Sequence, residues 1–467
     1  MGGLAVVLHP TLSIGLVLTA ALLGVLAVVP LYFFAPAVLA GTVVIPLFLL
    51  ESHARGLSLA STPLAGQGRL LLLLAAVCLT RVVLERRIIK LPSLETAAVS
   101  LYALGLLVSL AVASTRQNWY SGIVSDLARQ LTYPLAFVVG VVASRSASTT
   151  AGRLSLYRAT ACVGIGACSL STLWWAWEKG HLPIRIPLLT TLFEHSLAAS
   201  VYASGRSTFP FTDDSPNTSA VVFVLLAIST IPMLLSSEAR RDNWIGFVMI
   251  AAVTAGVLTT QSRTGLVALA AAGLPLLLGA YTGIRRRPLV VAIVLLLVIA
   301  SAGYRAFPHN RKLTTQTATY AVRKTIWHEA IPKFLDAPLL GQGYHYSARP
   351  NFITAAVNPA AVGGASGGLQ SVHSEYLGQL VDGGIVGGLI FLLVLTAFVR
   401  VALKCMGSKF KIFRAEGTGF LGVISGLAVA MYAAAVFQSA VATITVWLLF
   451  GVLAERGDYL ERQRPSA

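Results

Sequence analysis

The sequence predicts an all-α fold: a polytopic transmembrane helical bundle with about 12 spans (12 or 13) and one long extracytoplasmic loop containing short helices. Three observations lead there. Of the 467 residues, 56% are hydrophobic and only 11% charged, against about 25% charged in an ordinary soluble domain. The mean hydropathy is +0.77. The apolar residues also come in continuous runs that do not alternate, which disfavours a strand barrel.

The runs follow one another closely. The first two, 12–29 and 31–50, are separated by Pro30, and the second is interrupted by Pro36 and Pro46, so they form either two spans or one broken pair. Further runs lie at 70–84, 96–113, 131–143, 159–177, 219–235, 244–258, 266–284 and 289–303. After a polar interval come 377–399, 417–436 and 441–453. The first run lacks a basic leader and is followed at once by another, so it is expected to be retained as a span. The chain divides into N-terminal helices (1–303), a long loop (304–376), and C-terminal helices with a tail (377–467), all in one integrated domain.

Orientation follows from the basic residues of the short loops. Arg86, Arg87, Lys90, Arg145, Arg153, Arg158, Arg240, Arg241, Arg285, Arg286, Arg287, Lys404, Lys409, Lys411, Arg414 and the tail arginines form one alternating set, expected to be cytoplasmic. The other loops, including 178–217, the turn 261–263 and the long loop, then face outward. The formal net charge of +17 is scattered between spans and forms no basic stripe, so nucleic acid is not an expected partner. Anionic membrane lipid or a lipid diphosphate suits the remaining basic residues better. Cys78, Cys162, Cys168 and Cys405 have no CxxC spacing and indicate neither zinc nor a disulfide framework.

The long loop is where polar chemistry concentrates. It holds four of the eight histidines, with Arg305, Arg311, Lys312, Arg323, Lys324, Glu329 and Asp336. A long polar loop among short ones is a usual place for function. Within it, residues 322–335 read as a short amphipathic helix with Ile326, Trp327, Ala330, Ile331, Phe334 and Leu335 on its apolar stripe. Arg323, four residues before Trp327, falls on that same stripe. Asp336, Ala337 and Pro338 end the helix, and residues 341–344 form a turn.

Several residues have two readings on their own merits. His373, at the mouth of a span, is either a general base with a pKa near ambient pH or a helix-capping imidazole. Glu375 either orients that imidazole or favours the helix N-terminus electrostatically. Arg263 and Arg206 either fork onto a diphosphate or snorkel at the interface. Arg323 either contacts phosphate or stacks on Trp327, and Arg116 and Arg129 flank another outer loop. Asp213 and Asp214 are either a cation site or a solvated acidic pair, and Trp174, Trp175 and Trp177 read as an interfacial aromatic belt.

Four separated pieces resemble the O-antigen ligase and polymerase family of bacterial membrane glycosyltransferases, which is similar to the wider glycosyltransferase C group. They are Arg206 to Phe211 with Pro216 and Asn217; Ser262-Arg263-Thr264-Gly265; Arg323 and Trp327 leading to 338–344; and His373 to Leu377 leading to 383–387. Ser374 departs from the family's usual Asn, and residues 212–215 are inserted before Pro216. The resemblance implies transfer of a glycan from an undecaprenyl (polyprenyl) diphosphate donor to an acceptor hydroxyl on the outer face of the bacterial inner membrane. By it His373 is the base, with Glu375 beside it, and Arg206, Arg263 and Arg323 bind the diphosphate. It requires no metal and no cofactor, and direct displacement inverts the anomeric centre. The acceptor would be a glycan, a lipid or a protein, which separates ligase, polymerase and protein O-oligosaccharyltransferase. A transporter or flippase of lipid-linked sugar is the reading from another class, and it calls for charged residues at mid-span.

Overall fold

The computed structural model describes residues 93–116, 134–147, 149–178, 216–234, 243–279, 313–348 and 372–462, with single positions at 123, 127, 130, 131 and 352. The expected spans 12–29, 31–50, 70–84 and 289–303 lie outside these residues, as do Arg129, Arg206, Asp213 and Asp214.

All regular structure among the described residues is helical. In chain order the helices are α1 (Ser93–Thr115), α2 (Pro134–Ser146), α3 (Thr150–Glu178), α4 (Pro216–Leu234), α5 (Asn243–Thr260), α6 (Arg263–Gly279), α7 (Leu313–Leu335), α8 (Glu375–Met406), α9 (Lys411–Ala433) and α10 (Ala440–Arg462). Three of the described helices, Leu94–Thr115, Glu375–Met406 and Lys411–Ala433, are long and apolar enough to cross a membrane; shorter apolar helices include Pro216–Ile231, Trp244–Thr260 and Arg263–Leu276. Prolines set two starts. Pro134 and Pro216 each occupy a first helical position, where a missing N–H costs nothing. That moves the start of α2 three residues past the run's beginning at Leu131.

The core forms around α4, which packs against α3, α5, α6, α9 and α10. Its residues 220–228 are all buried, which matches a helix apolar on every side. Small residues let neighbours approach closely, as usual where lipid gives no hydrophobic drive between helices. A Cβ on Gly140 of α2 would lie 2.1 Å from the Leu448 carbonyl oxygen of α10, and one on Gly451 would lie 2.0 Å from that of Phe137. Aromatic packing adds Phe398 stacked on Phe450 at 3.8 Å and Trp447 beside Tyr102 at 5.4 Å.

Helices α6 and α9 run antiparallel. A Cβ on Gly426 would come within 3.0 Å of Ala268 O, and one on Gly422 within 2.7 Å of Ala272 O. The opposite ends of α8, α9 and α10 differ in chemistry. One end, near residues 404–416 and 455–462, carries ion pairs such as Arg145–Glu455 at 2.6 Å and Arg456–Glu416 at 3.1 Å. The other carries the segment before α8 and the helix α7.

Two expectations need correction. The amphipathic helix is longer than 322–335, beginning at Leu313. Of its stripe, Ile326 and Ala330 are buried and Trp327 and Phe334 partly so, whereas Ile331 and Leu335 are exposed. The run 377–399 is part of a 32-residue helix that is not continuous: Gly384 has φ 63° and ψ −161°, which breaks it.

Candidate active site at the mouth of α8

The break at Gly384 frees backbone groups of α8, and the turn after α7 takes them up. Gln342 N–H donates to Val381 O at 2.8 Å and Gly343 N–H to Asp382 O at 3.0 Å. In return, Ile385 N–H donates to Pro338 O at 2.8 Å and Val386 N–H to Leu339 O at 3.2 Å. Close backbone contact explains the glycines here. A Cβ on Gly384 would lie 2.3 Å from Leu339 O, and Gly341, with φ +70°, would put one 2.5 Å from Asp382 O. Two motif pieces far apart in sequence, 338–344 and 382–387, are thus one structural unit.

Asp382 fastens the same turn. Its Oδ1 accepts from Ser347 N–H at 2.7 Å and its Oδ2 from Ser347 Oγ at 3.0 Å. Its carbonyl also accepts from Ser109 Oγ of α1 at 3.0 Å. Helix α7 is tied to the chain just before α8. The Trp327 indole donates to Val372 O at 3.1 Å, and its ring meets that of Tyr432, at the end of α9, 5.5 Å away.

His373 follows Val372 with φ 49°, a left-handed backbone that is uncommon outside glycine. It is half-buried. Burial, with the positive charge of Arg323 nearby as a second cause, pushes its pKa down to about 4. The imidazole is therefore unprotonated at ordinary pH, and a weaker base than the near-ambient pKa expected from the sequence. Burial also lowers the Arg323 pKa, and the guanidinium is half-buried on the side of α7 that faces this segment. The capping position of α8 belongs to Ser374, whose side chain makes no cap hydrogen bond.

Glu375 opens α8 and is only 6% exposed. Its Oε1 accepts from Gln379 Nε2 at 2.9 Å and its Oε2 from Phe437 N–H at 3.0 Å. The carboxylate thus ties α8 to the connection between α9 and α10. A cavity lies beside it, lined among others by Tyr102, Ser109, Gln130, Glu375, Gln379 and Asp382. Val372 and Ser374 also line it, while His373 does not. The sequence reading missed Tyr102, Ser109, Gln379 and Asp382. Gln379 and Asp382 were visible as the polar interruptions of an apolar run. Tyr102 and Ser109 carried no such signal, because they lie within an unrelated span.

Arg263 is the first residue of α6 and is exposed. Ser262 caps that helix, accepting from Gly265 N–H at 3.0 Å. The same hydroxyl donates to Asn217 Oδ1 at 3.0 Å, joining two more motif pieces. Ala268 faces Gly426, so Arg263 lies about 7.5 Å further along the α6 axis, level with Met431 and Tyr432. Tyr432 touches Trp327, one turn from Arg323. Arg263, Arg323 and His373 therefore share one end of the bundle. Arg116, at the end of α1, is exposed. Among the described residues no group of three or more His, Cys, Asp or Glu converges as metal ligands.

A helical membrane protein with a half-buried imidazole and arginine side chains sharing one end of its bundle is the class that fold and site define. Residues 245–392 match the family model described as O-antigen ligase, the family that the motifs resemble. This stretch carries Arg263, Arg323, His373 and Glu375, and Arg206 precedes it. That family supports a membrane glycosyltransferase of ligase or polymerase type, with glycan and lipid-linked substrates. Among curated proteins no match is found.

Proposed function

We propose that this protein moves a glycan from a polyprenyl diphosphate, undecaprenyl diphosphate in bacteria, to an acceptor hydroxyl at the extracytoplasmic face of the inner membrane. The observation that carries this reading is the half-buried imidazole of His373 at the mouth of α8, within electrostatic reach of Arg323 on the helix that Trp327 ties to Val372. A base for an alcohol must be unprotonated, and a departing diphosphate needs fixed positive charge. His373 takes the proton from the acceptor hydroxyl as its oxygen attacks the anomeric carbon. The bond to the diphosphate oxygen breaks on the opposite side, so the centre inverts. Arg323 and Arg263, together with Arg206, receive the charge that develops on the leaving group, so no metal is needed. Glu375 supports the site by fixing the start of α8 against Phe437, which sets the position of the residue two before it.

Ligase, polymerase and protein O-oligosaccharyltransferase chemistry differ only in the acceptor, and a ligase-like acceptor is our reading. The concentration of the site at one end of the bundle supports chemistry over transport. The test is to reconstitute the purified protein in vesicles with a polyprenyl-diphosphate-linked glycan and a panel of glycan, lipid and protein acceptors. New glycosidic product is expected. Movement of the intact donor between leaflets, without product, would assign it to transport instead.

A further inference from the structure

The other end of the bundle holds more buried and partly buried positive than negative charge among the described residues. Glu416 is 0% exposed, and its Oε1 accepts from Arg456 Nε at 3.1 Å and from the Tyr157 hydroxyl at 3.1 Å. Glu455, 2% exposed, is taken by Arg145 at 2.6 Å and Arg462 at 2.7 Å. Arg153, near the start of α3, is 3% exposed and makes no ion pair among the described residues, and two rings lie against it. Its guanidinium carbon lies 4.1 Å from the centre of the Phe413 ring and 5.1 Å from that of Tyr459. Among the described residues, Arg153 Nε, Arg414 Nε and Arg456 Nη2 have no hydrogen-bond acceptor, and Glu416 Oε2 has no donor.

Ring faces offset part of the cost of a buried cation, but Arg153 and Arg456 share the single carboxylate of Glu416, which leaves one positive charge in excess. The cluster sits where α3 and α9 begin, close to the exposed Lys409 and Lys411 and within a few residues of a chain end of each apolar helix. That is the depth at which lipid headgroups lie. A phosphate oxygen matches the guanidinium fork and supplies the missing charge.

We propose that Arg153, clamped by Phe413 and Tyr459 and near Arg456, holds a phosphate group of an anionic lipid headgroup or a free phosphate ion. This site is separate from the transfer site and does not depend on its chemistry. The test uses the full chain purified in uncharged detergent, with lipid retention followed by native mass spectrometry and stability by thermal melting. The probes are phosphatidylglycerol, phosphatidylcholine of the same acyl chains, and inorganic phosphate. Phosphatidylglycerol is expected to be retained and to raise the melting temperature where phosphatidylcholine does not. Protection by inorganic phosphate alone to the same extent would identify the free ion as the source. Arg153→Met, which keeps the packing against both rings, should weaken the phosphate-bearing probe by roughly tenfold or more, while Lys409→Gln on the exposed surface should not. If Arg153→Met does not fold, the wild-type comparison decides alone. Equal behaviour of the two lipids with no effect of phosphate, or undiminished binding to Arg153→Met, overturns the proposal.

Discussion

Arg323 lies close enough to His373 for its charge to oppose protonation of the imidazole, and burial acts in the same direction. The two side chains come from different elements, α7 and the segment before α8, and the Trp327 bond to Val372 O holds those elements together. A base and a cation within electrostatic reach of each other have a consequence for pH dependence.

For free enzyme, kcat/KM should be flat from neutral pH downward and fall only as pH approaches about 4, the depressed value for His373. The sign is fixed by which form works: the neutral imidazole is lost as pH falls through the folded-state pKa. Removing the Arg323 charge raises that pKa, so Arg323→Met should move the acid limb to higher pH. A pH profile of initial rates for both proteins checks this, and an acid limb unmoved in Arg323→Met would separate the two residues.

The turn on α8 gives a structural prediction. Gly384→Ala must place a Cβ 2.3 Å from Leu339 O at a positive φ, so it should destabilise the protein by roughly 1–3 kcal/mol or more. Asp382→Asn keeps the size but weakens the bonds to Ser347, and should cost less. Thermal melts in detergent rank the two, and an unperturbed Gly384→Ala would mean that the turn does not clasp α8 as described.

Much of the fold was legible. Continuous apolar runs placed α1, α4 and α5 within three residues, because a spanning helix has to be apolar nearly throughout. The break in α8 is not legible, although Gly383 and Gly384 stand there as a pair. A glycine break costs too little hydropathy to show in an apolar run, and its partners, Pro338 and Leu339, lie more than forty residues away. Arg323 was legible as a basic residue on an apolar stripe, and His373 as an imidazole just before an apolar run. The setting of Glu375 was not, since Gln379 is local but Phe437 belongs to a distant connection.

How the leaving diphosphate is held is the next prediction. A guanidinium forks onto two oxygens, and lysine keeps the charge without the fork. Arg263→Lys should therefore be strongly impaired, losing on the order of 1.5–3 kcal/mol, or roughly tenfold to more than a hundredfold in rate. Activity should survive EDTA. Initial rates against donor concentration, with and without chelator, check both. Rescue of a chelated enzyme by magnesium or manganese would turn attention to Asp213 and Asp214.

Sidedness can be read by cysteine labelling in a background without the native cysteines. A cysteine replacing Ser408, between α8 and α9 at the basic end, should be protected from an impermeant thiol reagent in intact cells. One replacing Asn217, at the start of α4 beside Ser262, should be labelled. The reverse pattern would put the site on the cytoplasmic face.

The central claim is that His373 acts in the chemical step, and His373→Ala tests it most directly. Transfer from a polyprenyl-diphosphate-linked glycan should fall below detection, while folding, read by thermal melting, and donor binding, read by equilibrium titration, stay near wild type. Transfer at close to the wild-type rate in that variant would contradict the account and leave His373 a residue of structure alone.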